Sequence, residues 1–274
     1  MIFVLSPAKT LDFTPAPPTL PTTAPAMRRH TAELAKVARR LSAADLKRLM
    51  GISDKLAELN LARFRAFDAA DEASGVPAAL AFAGDVYEGL SARTLDRGAL
   101  DWAQARVRIL SGLYGLLRPL DRIQPYRLEM GTRLATARGQ SLYAFWGDRL
   151  AKALNAAAKD HPDPTLVNLA SQEYFGAVDR RALKLPVVTC HFKQEQDGAI
   201  RNLSFFAKTA RGLMTRYAAE RRIEAPEALK AFDLAGYRFR PDLSEAKDWV
   251  FVRPQPRADM LNGGGATKAA RSSG

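Results

Sequence analysis

Apolar positions along the chain switch between two periods, and the switches mark out its elements. Residues 1–5 form an unbroken apolar run ended by Ser6-Pro7, which predicts a short buried strand. Residues 14–26 contain Pro15, Pro17, Pro18, Pro21 and Pro25. They are predicted to be extended surface chain, because proline lacks the N–H that helix and central strand require. From Arg28 the spacing becomes helical, with Leu34, Val37 and Leu41 on one side. Ser42-Ala43-Ala44-Asp45 resembles a capping box with Asp in place of Glu, and it opens a second helix that Gly51 stops. A third helix is predicted to begin after Ser53 and run to about Phe67, with Leu56, Ala57, Leu61, Phe64 and Phe67 on one broad side.

Further on, residues 76–82 fit strand and short helix equally. Residues 106–110 alternate as a strand does and are closed by Ser111-Gly112-Leu113-Tyr114-Gly115. Pro119, Pro125 and Gly131 break the next stretch of chain into short pieces. Residues 141–158, around Trp146, are predicted as one helix, 166–169 and 185–192 as strands, 203–223 as the longest helix, and 249–252 as a last strand. The Gly/Ala/Ser-rich residues 257–274 are expected to be a disordered tail. Strands and helices alternate without an internal repeat or a dividing linker. The predicted architecture is therefore mixed α/β (α+β), a single domain over residues 1–256 with one mixed sheet.

Composition narrows the class. A hydrophobic share of 47% excludes a disordered chain of low hydrophobicity, and no run approaches the roughly 18 apolar residues of a membrane span. The start has no basic flank before its apolar run, unlike a secretory signal, and the single cysteine, Cys190, cannot form an internal disulfide. The cytoplasm is the expected compartment, with no membrane partner. His30, His161 and His191 lack ligand spacing, no Gly-x-Ser-x-Gly elbow or Walker loop occurs, and neither metal nor cofactor is expected.

Charge gives the positive signal. The net charge is +12, and three windows hold more than all of it: residues 28–65 with ten basic and four acidic residues, 106–138 with seven and two, and 201–222 with six and one. Segregation of this kind points to a surface for a polyanion, provided the windows converge in the folded chain. Within the first window, Gly51-Ile52-Ser53 joins two short helices. A tight helical hairpin exposes backbone N–H groups at the start of its second helix, and these, with the helix dipole and Lys55, suit a DNA phosphate. Ser53 stands where a second glycine is usual, and Asn60 where an apolar residue is expected. In the third window, Lys208, Arg211, Thr215 and Arg222 fall within about 60° of one another around a helix, opposite Phe206, Ala210, Leu213 and Tyr217. That predicts a solvent-facing row for phosphates; an ordinary solvated face is the alternative. Arg118 and Arg127 sit in irregular chain beside prolines and aromatics. They are read either as anion-binding arginines or as stitches to Asp121 and Glu129. Lys9, after the first strand, and Asn168 and Ser171, after a later one, stand where open sheets place ligand groups.

Several of these runs together resemble the YaaA family of bacterial peroxide-stress-resistance proteins. They are 6–13 (Ser-Pro-Ala-Lys-Thr-Leu-Asp-Phe), 84–90 (Gly-Asp-Val-Tyr-Glu-Gly-Leu), 110–121, 124–131, 168–175 (Asn-Leu-Ala-Ser-Gln-Glu-Tyr-Phe) and 208–216 (Lys-Thr-Ala-Arg-Gly-Leu-Met-Thr-Arg). The resemblance spans about residues 1–251 in order. It implies a cytosolic protein protecting against hydrogen peroxide, associated with DNA binding and recombinational repair. It also implies a single-domain mixed α/β fold with a basic cleft and a helix-hairpin-helix element, which falls on about residues 42–67 here. It supplies no catalytic residues.

The leading expectation is a non-enzymatic protein that holds double-stranded DNA, including junctions and bubbles, through phosphates without reading sequence. Gly51, Ile52, Ser53 and Lys55 form its hairpin, and Lys9, Arg118, Arg127, Lys208 and Arg211 line the rest of the surface. The alternative is an enzyme on a phosphate-bearing or nucleotide substrate at the loops carrying Lys9, Arg118, Arg127, Asn168 and Ser171.

Overall fold

The apolar run at the start builds the centre of the sheet. In the computed structural model, which describes residues 1–71 and 74–255, the strand Ile2–Leu5 is buried at every position. It pairs in parallel with Val107–Ser111 on one side and Leu166–Asn168 on the other. A strand covered on both faces needs apolar side chains throughout, which is why it reads as a run and not as an alternation. From the Arg238–Phe239 edge the order continues through Asp248–Arg253, Val187–Gln196, Leu166–Asn168, Ile2–Leu5, Val107–Ser111 and Gly115–Leu117. Ala199–Arg201 is hairpinned onto Val187–Gln196. These strands form a mixed α/β fold whose eight-stranded sheet is mainly parallel, over one continuous apolar core.

Two features of this sheet position the site. The chain leaves Ile2–Leu5 to pair Val107–Ser111 on one side and returns to Leu166–Asn168 on the other, so the order reverses beside the central strand. Turns leaving the carboxyl ends of the two strands diverge there, which is where open sheets gather ligand groups. In addition, Asn168 lies level with Thr189, while Gln194 still pairs with Arg253 five residues on. At ~3.3 Å per residue, Val187–Gln196 and Asp248–Arg253 overhang the adjacent strand Leu166–Asn168 by roughly 16 Å. The carboxyl edge is a step, not a level rim.

The helical hairpin forms as its local chemistry dictates. Ser42 Oγ accepts the Asp45 N–H at 3.1 Å and the Asp45 carboxylate accepts the Ser42 N–H at 3.1 Å, completing the capping box of Ala43–Met50. Gly51 ends that helix at φ +60°, its N–H bonded to the Lys47 carbonyl. Ile52 is buried, and Ser53 caps Asp54–Ala66. Ala57, one turn into the second helix, is 1% exposed. Arg39, just past the helix Arg28–Ala38, donates to the Phe64 carbonyl at 3.2 Å and to that of Phe67, closing the other end of Asp54–Ala66. A Cβ at Gly51 meets nothing within 4 Å, so only its left-handed backbone resists substitution. Gly51→Ala should therefore cost about 1 kcal/mol, and Gly51→Asn distinctly less, in urea denaturation.

The remaining elements depart from the sequence reading in identifiable ways. The single helix expected over 141–158 is two, Leu142–Trp146 and Arg149–Ala158, broken at Gly147, whose φ of +50° and ψ of −126° suit only glycine. Residues 76–83 hold strand, helix and strand in succession: Val76–Pro77, Ala78–Ala81 and Phe82–Ala83. Asp85–Leu90 and Arg97–Arg106 are helices that the periodicity did not bring out, although Asp96 caps the latter through the Ala99 N–H at 2.7 Å. The expected tail over 257–274 lies outside the described residues.

The longest helix, Ser204–Glu220, corrects the expected row of cations. Gly89 and Gly212 let Asp85–Leu90 cross it backbone to backbone: a Cβ at Gly212 would stand 1.8 Å from the Val86 carbonyl oxygen. The helix is thus buried on two sides, by the sheet and by the crossing helix, and its solvent face is narrow. Thr215 is completely buried, its hydroxyl donating to the Arg211 carbonyl at 2.9 Å. Arg211 packs on the sheet beside Cys190, with its Nε buried and unpartnered among the described residues. Arg222 lies beyond the helix at φ +50°. Of the expected row, Lys208 alone remains exposed on the helix.

Candidate nucleic-acid interface

Lys9 follows the central strand on the turn that opens at Ser6. The Ser6 hydroxyl accepts the Ser171 N–H at 2.8 Å, and the Ser6 carbonyl accepts the Tyr87 hydroxyl at 3.0 Å, so the two divergent turns are tied at the reversal in strand order. Tyr126, Leu128 and Met130, from residues 124–131, are buried at the same edge, where the Tyr126 hydroxyl meets Ser111 Oγ at 2.6 Å. Burial pushes the hydroxyls of Tyr87, Tyr126 and Tyr174 well above the usual tyrosine range, so they remain protonated.

Above this floor the cations meet. The Glu129 carboxylate is shared between Lys9, at 3.0 Å, and Arg127, at 2.7 Å. Arg63, reaching in from the helix Asp54–Ala66, has its pKa lowered by partial burial and by the like charge of Arg127. It has no carboxylate partner among the described residues. Gly84 packs against Ala8, its neighbour Asp85 lies 3.8 Å from Lys208, and Lys208 thereby borders the Lys9 turn. Lys9 and Lys208 keep 63% and 52% of their side chains exposed, so their charges face solvent despite these pairings. Each ion pair is weak at such exposure and yields to a better anion. Cations from all three basic windows therefore gather at the carboxyl edge.

The gathering is selective. Arg118 sits past the outer strand Gly115–Leu117 and is held by Asp121, its Nε donating to Oδ1 at 3.1 Å and its backbone N–H to Oδ2 at 2.8 Å, with a further bond to the Ala24 carbonyl at 3.2 Å. It is the stitching arginine of the two readings. Arg106 pairs with Glu224 at 2.7 Å, Arg216 with Glu220 at 2.7 Å, and Arg138 with Glu33. Burial lowers the Arg108 pKa to about 10, with the like charge of Arg118 adding to the effect. The Asn168 side chain accepts the Ala170 N–H at 3.0 Å and Ser171 caps the short helix Gln172–Phe175, so both serve their own turns.

At the hairpin, the backbone N–H groups of Asp54 and Lys55 have no acceptor among the described residues, and Lys55 is exposed. Asp54 places a carboxylate at the same helix end, held by Lys47 at 2.9 Å. Lys55 lies about 12 Å along the helix from Arg63, at ~1.5 Å per residue. A groove of about 690 Å³ between Arg28–Ala38 and residues 67–70 is lined by Arg28, Arg29, Lys36 and Arg39 against Asp68. Arg29 and Lys36 are exposed and have no carboxylate partner among the described residues. The charge of this window was visible in the sequence, but its groove depends on the loop after Phe67.

Burial pushes the Cys190 thiol up to about 12. It should resist a thiol reagent in the native protein and react on unfolding in denaturant; fast native labelling would contradict this placement. Among the described residues no group of three or more His, Cys, Asp or Glu is placed to hold a metal ion, and no helix is long and apolar enough to cross a membrane.

A basic, step-shaped sheet edge flanked by a helical hairpin defines the class of surface. Against known proteins, residues 1–243 match the family described as "Peroxide stress protein YaaA". A UPF0246 protein of Caulobacter vibrioides is 64% identical over 256 residues, covering 93% of this chain and 100% of the relative. UPF0246 proteins of Phenylobacterium zucineum, at 63%, and Ruegeria pomeroyi, at 56%, each cover 93% of this chain, and 96% and 99% of their own lengths. The chain belongs to the YaaA family of peroxide stress proteins, and its role lies in peroxide stress.

Proposed function

We propose that the chain serves in peroxide stress as a DNA-binding protein that holds duplex DNA by its phosphates, without sequence specificity. The observation that carries this reading is the gathering of Lys9, Arg63, Arg127 and Lys208, remote in sequence, at one sheet edge, where Lys9 and Arg127 share Glu129 and Lys208 lies 3.8 Å from Asp85. A surface with more cations than local carboxylates, two of them the exposed Lys9 and Lys208, favours a repeating anion. The unpartnered N–H groups at Asp54 and Lys55 extend it towards the hairpin. The enzyme alternative draws less support, because Asn168, Ser171 and Arg118 are engaged in holding their own loops.

Fluorescence anisotropy with two unrelated duplexes tests the reading. Affinity on the order of micromolar or tighter is expected at about 50 mM salt, equal for both sequences. Five or more phosphate contacts set a log–log salt slope of about −4 to −5. Affinity unchanged at about 200 mM salt would discredit phosphate contacts as the source of binding.

A further inference from the structure

We infer that Phe205 is a stacking platform for an unpaired base of single-stranded DNA. The inference rests on the carboxyl edge being a phosphate surface and adds what that surface does with a strand that is not paired. Phe205 is the most exposed of the large apolar side chains among the described residues, at 58%. Single exposed apolar residues are ordinary on protein surfaces; here the difference is that the ring is braced and has exposed cations, Arg201 and Lys208, before and after it in the chain. It stands edge-on to Phe206, with ring centroids 5.3 Å apart at 75°. Phe206 in turn lies under the Arg253 guanidinium at 3.8 Å. Two Arg253 nitrogens donate to Gln194 Oε1 at 2.8 and 2.6 Å, and Gln194 is buried on the overhanging strand. The exposed ring is therefore tied into the sheet at the top of the step.

Its position suits a nucleotide. Lys208 follows one turn later on the same side of Ser204–Glu220 and is exposed, and Arg201 is exposed just before the helix. An aromatic face bracketed by cations binds single strands by stacking one base while the flanking charges hold the backbone. A paired base in a duplex has no free face to offer, so Phe205 discriminates for unpaired DNA while Lys9 and Lys208 serve both forms.

The test uses the full chain and a short single strand carrying one 2-aminopurine, whose fluorescence is quenched on stacking, beside the matched duplex. Phe205→Ala should weaken single-strand binding about tenfold and abolish the quenching, and should leave duplex affinity within about twofold. Phe205→Tyr should retain both signals, which separates stacking from a folding defect. Lys208→Gln should weaken both forms of DNA. If duplex binds but Phe205→Ala leaves single-strand affinity and quenching unchanged, the inference is overturned and the phosphate surface stands. If the single strand binds in a Phe205-dependent way while duplex does not bind, stacking stands and the duplex reading falls. Binding to neither overturns both.

Discussion

Replacing Lys9, Lys55 and Lys208 together by glutamine is expected to weaken duplex binding by roughly 500-fold at about 0.1 M salt. Binding to phosphates is driven by counterion release, with a slope of about −0.9 per neutralised phosphate, so removing one lysine–phosphate pair costs about eightfold at that salt and three removals multiply. The salt slope should fall by about three at the same time. These residues are chosen because they are exposed and their removal leaves the fold alone. Glu129 keeps Arg127 as its partner when Lys9 is neutralised, and Lys55 makes no ion pair among the described residues. Arg211→Gln, by contrast, alters a side chain packed on the sheet beside Cys190, and it should change stability while leaving the salt slope as it was. A triple variant that binds within twofold of the parent would remove these lysines from the interface.

Gly212→Ala is expected to destabilise the protein by about 3 kcal/mol or more, the largest single-site effect anticipated, because the added carbon meets backbone on the facing helix and no side chain can turn aside. Gly89→Ala meets the Thr209 carbonyl oxygen at 2.2 Å and should behave alike. Gly98→Ala is the control: its Cβ meets the end of the Arg222 side chain, which can move. Near-neutral stability, or a gain of a few tenths of a kcal/mol from helix propensity, is expected there. Urea midpoints of the three variants decide the matter, and equal effects at Gly98 and Gly212 would contradict the crossing described.

Local chemistry was legible and distant packing was not. Ser42, Asp45, Gly51 and Ser53 announce the hairpin because caps and left-handed stops depend on neighbours within four residues. The central strand was equally plain, since its burial on both faces removes any polar alternation. Ser204–Glu220 misled because a helical wheel assumes one buried side. Its Ala207, Ala210, Gly212, Ala218 and Ala219 were the signal that something else approaches closely, although the sequence does not say what. Gly147 could have divided residues 141–158, but an isolated glycine within a helical pattern is commonly tolerated. Asp197 and Gly198 both adopt positive φ between Val187–Gln196 and Ala199–Arg201, and that Asp-Gly pair is a hairpin signal present in the sequence.

For the surface itself, the sequence identified the cations and not their partners. Arg118 and Arg127 have matching surroundings in the chain, each with an acid two or three residues on. One is stitched beyond the outer strand, while the other shares its acid with Lys9 at the sheet edge. The difference is set by the strand order, which brings the turn after residue 5 and the loop 124–131 together. In the sequence Arg63 is one cation of a basic window, and its closeness to Arg127 is a tertiary fact.

Hydrogen exchange of the full chain with and without a saturating duplex of about 20 base pairs puts the account to its most direct trial. Slowed exchange is predicted together in residues 6–12, in the Asp54–Ala66 helix, in residues 124–131 and around Phe205–Lys208. Protection limited to one of these segments, or lying at the opposite, amino-terminal edge of the sheet, would contradict a single phosphate surface built from all of them.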